Sequence, residues 1–531
     1  MLPWPTCMHG PCLDRRLSPP LLAHTLPRSP IMSSRPASNP EQARSDVKTR
    51  AFRSIVALTL RTFASQGLRV VNALVLSRLL FPSDYGAFGI VAFATSLGAY
   101  LGDLGLSASL VRQSHEPTED ETTTAFWSHQ ALTGSIVALL LVLAPLVSSA
   151  YDLGPSGTPM VCAMAVGLFF SSLRVIPMMM LERHLHFPAV ARMELVEGLT
   201  QTGTTIALAL LGWGPWALAL GGLVRGAVGL VILWSASPWR PRGRFRKDIL
   251  QRLLGFGIWF QLGGIIPAIL SGWIPLIVGK LLGKDAVGLV NWAWALASVP
   301  LMISGILNRV AYPAYSRMQE DGAGLAEYLR TSIRRISAVL CLAIPFGVIA
   351  LPMLIPIVFG ERWRPAAPLV QWYTLEATLM AVHGLLCSQQ NASGQARERV
   401  YVTTVSSILR AGLGTLAVMH LGIVGIGIMG ATMTLTELWL TAWMVARRSP
   451  HLTGLEAEVM EPFLTVGALL AFAVAVSRFA TGEQGPLVQA LVASGALALG
   501  VVARERLRRG LSLMGEVRSV VQYVRSRRAA S

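Results

Sequence analysis

Arg78–Arg112 reads RLLFPSDYGAFGIVAFATSLGAYLGDLGLSASLVR. A short polar turn around Pro82, Ser83 and Asp84 opens a long apolar run that carries one acid, Asp103. At about 1.5 Å of rise per residue, such a run reaches across a hydrocarbon core of about 30 Å as a helix. The turn recurs as KLLGKDAVG at Lys280–Gly288. Both copies have a basic residue, Leu-Leu, an acid (Asp84 and Asp285, one position out of step) and a final glycine. Arg78 to Lys280 and Gly86 to Gly288 are both 202 residues. Each copy follows one apolar segment and precedes another. A period this long exceeds solenoid repeats and reads as two related halves, each a bundle.

Composition agrees. Charged residues are 14% of 531 and hydrophobic residues 53%, with a mean hydropathy of +0.54. A soluble chain carries about a quarter charged residues, so this is a multispanning membrane protein. The net charge of +17 invites a nucleic-acid reading, but the placement of the charges argues against it. The five cysteines form no CxxC pair, and neither a disulfide nor a metal site is expected. No HExxH, Walker loop, GxSxG or dinucleotide fingerprint stands in a usable context, so no cofactor and no catalytic constellation are expected.

The expected fold is all-α: fourteen spanning helices, from Ile55–Ser77 to Val488–Val502, in two pseudo-symmetric six-helix lobes plus two C-terminal helices. Loops after even-numbered spans hold 17 Lys and Arg residues, and loops and ends after odd-numbered spans hold 6. The positive-inside rule then places the even loops and both termini in the cytoplasm. Residues 1–50 form a basic segment rich in Pro, Ser and Arg, expected to be disordered. Met32 offers a second start, so residues 1–31 read as a start-site extension. The N-lobe occupies 51–238, a basic cytoplasmic linker 239–252, the C-lobe 253–446 and the last two spans 447–502. Residues 503–531 place Leu507, Leu511, Met514, Val517 and Val521 on one helical face among arginines, an interfacial helix for anionic inner-leaflet lipids.

Ionisable groups inside the spans are the candidate functional residues. Each costs about 2.5–3.5 kcal/mol at mid-membrane unless it finds a partner, water or a snorkelling route. In the first span Thr59, Thr62, Ser65, Gln66, Arg69 and Asn72 form one polar stripe with Arg69 near its centre. It reads as cavity-lining, against interhelical hydrogen bonding alone. Arg410 has a similar polar face in the eleventh span, and Arg174 and Arg225 lie inside the fourth and sixth, where structural pairing with an acid is the equal alternative. The acids Glu376 and Glu437, with Asp103 at a helix end, are candidates for ion coupling by a proton or sodium gradient, and Glu197 lies near the inner end of the fifth span. A structural salt bridge of Glu376 or Glu437 with Arg410 is the equal alternative. His383 reads as a satisfied core histidine. The tryptophans at 292 and 294 read either as packing or as contacts to sugar.

The pattern R-x-L-x-P-x-D-Y-G followed by D-L-G-L-S-A-S-L-V-R resembles the polysaccharide-transport branch of the MOP exporter superfamily, the Wzx-like flippases. Gly279–Asp321 resembles the opening of that family's second half, and the resemblance runs from about Phe52 to Val502. It implies a transporter of the bacterial inner membrane, not an enzyme. Its substrate would be an undecaprenyl-pyrophosphate-linked oligosaccharide for exopolysaccharide, capsule or O-antigen. A polysaccharide polymerase and export machinery would be its partners. Arg69, Gln66, Asn72, Arg174, Arg225 and Arg410 would line the substrate cavity, since arginine forks onto phosphate oxygens. The alternatives are another MOP transporter, either a multidrug exporter or a peptidoglycan-precursor flippase, and a membrane glycosyltransferase or polymerase acting on the same lipid. A cation exporter calls for an acid-dominated cavity. The enzymes call for a large extracytoplasmic loop with acids or arginines, and Ser149–Pro159 has only Asp152.

Overall fold

The computed structural model describes residues 67–68, 71–113, 115–183, 187–319, 321–341, 344 and 346–465. The expectations for the N-terminal segment, Gln66, Arg69, the last two spans from residue 466 onward and the basic tail lie outside these residues. Among the described residues every regular element is helical. In chain order the α-helices are α1 (Pro82–Asp103), α2 (Leu106–Arg112), α3 (Glu119–Ala150), α4 (Gly157–Ser172), α5 (Val175–Arg183), α6 (Phe187–Leu210) and α7 (Pro215–Ala236). They continue with α8 (Lys247–Leu270), α9 (Gly279–Ala297), α10 (Val299–Arg317), α11 (Gly322–Cys341), α12 (Leu351–Val358), α13 (Ala367–Ala392) and α14 (Ala396–Arg448).

Among the described residues, five helical stretches are long and apolar enough to cross a membrane: Pro82–Asp103, Glu119–Ala150, Gly157–Leu181, Pro215–Ala236 and Glu398–Arg448. The last is two helices joined at Gly422, where φ is 60° and the helix breaks. That break falls between the expected eleventh and twelfth spans, Val402–Met419 and Ile423–Val445. α6 begins at Phe187, eight residues before the expected fifth span, Leu195–Leu211. Glu197 therefore lies in the body of a helix and not at its end.

The turn at the head of α1 works as its sequence suggests. Phe81 is extended, Pro82 takes the first helical position, and the Asp84 carboxylate accepts the Phe81 N–H at 2.8 Å. Proline is cheap there because its missing N–H would have no intrahelical partner. In the second copy the break is Gly283 (φ 83°) inside α9, again 202 residues on. The two helices that follow these breaks cross. A Cβ on Gly86 would overlap the carbonyl of Lys284, and one on Gly288 would overlap the carbonyl of Pro82. Under the 202-residue offset each contact is the other's image.

Core side chains knit this seam. Val287 of α9 is buried with Ile90, Val91, Met160 and Val161 of the earlier helices. Leu74 and Tyr85 pack against Val290, Trp292, Trp363 and Val370. Trp292 stacks on Trp363 at 4.4 Å, and Trp363 meets Tyr85 edge-on at 5.3 Å. Each such pair contributes about 0.5–1.5 kcal/mol beyond area burial. Trp292 is thus a packing residue.

At the other end of the bundle the linker lies on the head of α3. Thr118 and Glu121 form a capping box, with Glu121 N–H to Thr118 Oγ1 at 3.2 Å and Thr118 N–H to Glu121 Oε2 at 2.9 Å. The acids of that turn then meet the basic linker. Asp120 accepts the Arg244 N–H at 2.8 Å, and Glu121 pairs with Arg252. α1 ends at Leu104 and Gly105, both at positive φ. Gly105 has no substitute, since a Cβ there would strike the carbonyl of Gly257 on α8.

Candidate functional site

Two charged clusters form inside the bundle, one in each part of the sequence repeat. The first joins α4–α5, α6 and α7. Arg174 sits at the break between α4 and α5. That break is held by Trp234 Nε1 donating to the Leu173 carbonyl at 3.1 Å and by Gln130 bonded to Ser172. Arg174 donates to Glu197 Oε1. Arg225 Nε donates to Glu197 Oε2 at 3.4 Å, and its Nη1 to Gln201 Oε1 at 3.2 Å. Gly229, one turn beyond Arg225, leaves the room: a Cβ there would overlap the Glu197 carboxylate. Glu197 is 2% exposed and Arg225 48%. Among the described residues the buried Arg174 Nε has no hydrogen-bond partner. A cavity of about 340 Å³ opens here, lined by Ser171, Arg174, Glu194, Glu197, Gln201 and Arg225 among others.

The second cluster lies on α13 and both parts of α14. Glu376 accepts from Arg410 Nη1. Arg410 Nη2 donates to Thr434 Oγ1 at 2.9 Å, and the Thr434 hydroxyl donates on to Glu376 Oε1 at 3.4 Å. Gly430 makes space for the Glu376 carboxylate as Gly229 does for Glu197. Glu437, a turn beyond Thr434, is within electrostatic reach of Arg410 and Glu376. A cavity of about 340 Å³ adjoins the pair, with Trp273, Asn291, Trp294, Tyr373 and Met380 in its walls.

The paired groups differ in balance. In the first cluster two arginines share the Glu197 carboxylate, with Glu194 also in the cavity wall, and in the second one arginine stands among two carboxylates. Arg174 and Glu376 are themselves 202 residues apart. An arginine pair with unused N–H groups suits an anion. A carboxylate pair facing one guanidinium suits a proton or a small cation.

The structure therefore brings together Arg174 with Arg225, and Arg410 with Glu376 and Glu437. It does not join the two groups into one ring. Asp103 stands apart: it accepts the Ser107 hydroxyl at 2.7 Å where α1 gives way to α2. Asn72 is half-buried, and its Oδ1 lacks a partner among the described residues. A Cβ on Gly198 would lie 3.4 Å from Leu68, so the first span packs beside the Glu197 turn. His383 is satisfied, with Nε2 3.0 Å from Thr441 Oγ1. Glu197, placed by the sequence near a span end, pairs with both arginines, and Gln201 and Trp273 join the site residues without having been singled out from the sequence. For Gln201 the available signal was its four-residue spacing from Glu197, which puts both on one helical face. Among the described residues no group of three His, Cys, Asp or Glu side chains is placed to hold a metal.

Residues 75–368 match the family described as "Polysaccharide biosynthesis protein". The lipopolysaccharide biosynthesis protein WzxC of Escherichia coli is 26% identical over 64% of this chain and 68% of its own length. The teichuronic acid biosynthesis protein TuaB of Bacillus subtilis is 22% identical over 81% of this chain and 90% of its own. The succinoglycan biosynthesis transport protein ExoT of Rhizobium meliloti is 26% identical over 57% and 61%. Among solved structures, the lipid II flippase MurJ in an inward closed conformation superposes with a TM-score of 0.67, at 13% identity, over 86% of this chain and all of its own. An inward-facing multidrug-resistance transporter of the MATE family gives a TM-score of 0.55, also at 13% identity, over 74% and 98%. The fold is thus that of the MOP transporters, and the chain belongs to the polysaccharide biosynthesis protein family, in its Wzx-like branch.

Proposed function

We propose that the protein is an inner-membrane flippase for undecaprenyl-pyrophosphate-linked oligosaccharide repeat units. The observation that carries this reading is the pair Arg174 and Arg225 sharing the Glu197 carboxylate at the cavity. Arg174 has a buried Nε without a partner among the described residues, and Arg225 is half exposed to the cavity. A pyrophosphate supplies the missing acceptors in the forked geometry that guanidinium prefers. Relatives named for lipopolysaccharide, teichuronic acid and succinoglycan biosynthesis fit a glycan-bearing lipid.

Transport runs by alternating access of two six-helix lobes, residues 51–238 and 253–446, within fourteen spans and with both termini cytoplasmic. The reciprocal glycine contacts and matched breaks at the 202-residue offset support this arrangement. Glu376 and Glu437 take up the coupling proton or sodium ion, and Arg410 holds them poised between partners. Anionic inner-leaflet lipids, a polysaccharide polymerase and the export machinery are the partners.

The test is translocation of a polyprenyl-diphosphate-linked oligosaccharide in proteoliposomes, read by its accessibility to an externally added glycosidase. Wild-type protein should move the lipid and Arg225→Gln should not. A wild-type protein that leaves it on its starting leaflet, with or without an ion gradient, would overturn the reading.

A further inference from the structure

The cavity beside Glu376 and Arg410 has walls that neither charge pairing nor ion coupling uses. Trp294 and Tyr373 meet edge-on with ring centroids 5.4 Å apart. Trp273 is fixed by its Nε1 donating to Thr415 Oγ1 at 2.9 Å. It also needs Gly414, since a Cβ there would press on the indole at 2.8 Å. The half-buried Asn291 amide faces the same space and has no hydrogen-bond partner in the described structure. It rests against Gly89 of α1, so the cavity lies at the seam between the two parts of the repeat.

These features select among ligand chemistries. A bare ion takes a tight shell of oxygens and has no use for indole walls. A lipid tail takes apolar walls and pays to desolvate Asn291, Glu376 and Arg410. A saccharide has both surfaces: an apolar C–H face that lies on an aromatic ring, and a rim of hydroxyls that donate to carboxylate and accept from amide or guanidinium. The volume of about 340 Å³ is at the small end of ligand pockets, about 300–1,000 Å³, and suits a short saccharide.

We propose that this cavity is the saccharide subsite of the transporter. A sugar ring of the head group stacks on Trp294, Asn291 bonds its hydroxyls, and Glu376 and Arg410 close the polar end. The proposal rests on the flippase reading and adds where the glycan is held.

The test measures binding to the full chain in nanodiscs. The probes are farnesyl diphosphate and a panel of farnesyl diphosphates bearing one neutral hexose or N-acetylhexosamine. At least one sugar-bearing probe should bind the wild type about five- to tenfold more tightly than the bare diphosphate, the range that one stacking contact and one hydrogen bond allow. Trp294→Leu and Asn291→Ala should each remove most of that gain and leave bare-diphosphate binding intact, which also certifies their folding. Trp294→Phe, which keeps an aromatic face, should retain most of the gain. Arg225→Gln should weaken every probe by the same factor and leave the gain untouched. A gain that survives both Trp294→Leu and Asn291→Ala, or no gain for any sugar in the wild type, overturns the subsite and leaves the flippase reading standing. Failure of the wild type to bind the bare diphosphate and every sugar-bearing probe overturns both.

Discussion

Arg78 donates from Nε to the carbonyl oxygen of Val358 across 2.7 Å, 280 residues along the chain. Lys280, its match 202 residues later, donates to the carbonyl of Ala150 at 3.0 Å. Both carbonyls end a helix, α12 and α3, where unpaired acceptors and the helix dipole favour a cation. Each part of the repeat thus holds a helix end of the other. The donors are exposed, so each bond is worth little alone. Arg78→Gln with Lys280→Gln should still loosen this end of the bundle. Spin labels at the exposed residues Pro155 and Arg364 should report a longer or broader distance distribution in the double variant. An unchanged distribution would show that the two cations do not hold the ends together.

Gly86 is a sharper lever on the same seam. Any side chain there meets the Lys284 carbonyl, which cannot yield as a flexible side chain can. Gly86→Leu should insert normally and lose transport, because α1 and α9 can no longer cross at this distance. Gly134, with open space around it, is the control. Gly134→Ala should keep full transport and gain up to about 1 kcal/mol from helix propensity. Equal transport by both variants would mean that the crossing is not needed during the cycle.

The helical class, the break at Pro82 and its echo at Gly283 were legible in the sequence, because turn chemistry and apolar run length are local signals. The partners of the buried charges were legible only in part. Arg410 with Glu376 was one of two open readings. Glu197 read as lying near a span end because its helix starts eight residues before the apolar run that marked the span. Arg192 and Glu194 delay the start of that run in a hydropathy reading. The different pairing in the two clusters needs the third dimension as well, since only Arg174 and Glu376 keep the 202-residue register. Trp292 and Trp294 are two residues apart with similar neighbours, yet one is core and the other lines a cavity. Composition has no means of separating them.

The topology can be tested by labelling, with sites chosen to avoid close contacts. Gly243 and Gly157 lie in the natural loops to probe, but a Cβ on either would collide with its surroundings. Arg242 and Pro155 are exposed neighbours. In cysteine-free protein, Arg242→Cys should react only from the cytoplasmic side and Pro155→Cys only from the periplasmic side. Reaction of both from one side would remove the fourteen-span arrangement.

The two carboxylates near Arg410 should separate in behaviour. Glu376 is buried and directly paired, so replacing it alone leaves a guanidinium uncompensated. Glu437 has no direct ion pair within the described structure. Glu437→Gln should therefore fold normally and transport with a weakened dependence on the proton or sodium gradient. Glu376→Gln should lose both gradient dependence and stability, the latter by roughly 3–5 kcal/mol as for a broken buried pair. Unchanged gradient dependence in both variants would place coupling elsewhere.

The Arg174–Glu197–Arg225 cluster makes the most discriminating prediction, because its two arginines stand differently toward the same carboxylate. Arg174 is largely buried, at 16% exposure, and the Glu197 carboxylate compensates its charge there. Arg225 is half exposed, and its 3.4 Å bond to Glu197 is long. Gln201 offers it a second, neutral acceptor. The buried pair should therefore serve stability, while Arg225 is the guanidinium free to exchange a carboxylate for a phosphate. Arg225→Gln should leave expression and melting temperature near wild type and abolish export. Arg225→Lys should recover a fraction, since an ammonium keeps the charge but loses the fork. Glu197→Gln should instead cost stability, roughly 3–5 kcal/mol, by stranding Arg174. The double change Arg174→Met with Glu197→Leu should restore the fold, because an apolar pair of similar volume is often neutral in place of a buried ion pair. Melting curves and export measured on the same four proteins decide the matter. A stable Arg225→Gln protein that exports normally would remove the phosphate role from this cluster. A destabilised one would show that Arg225 belongs to the scaffold with Arg174.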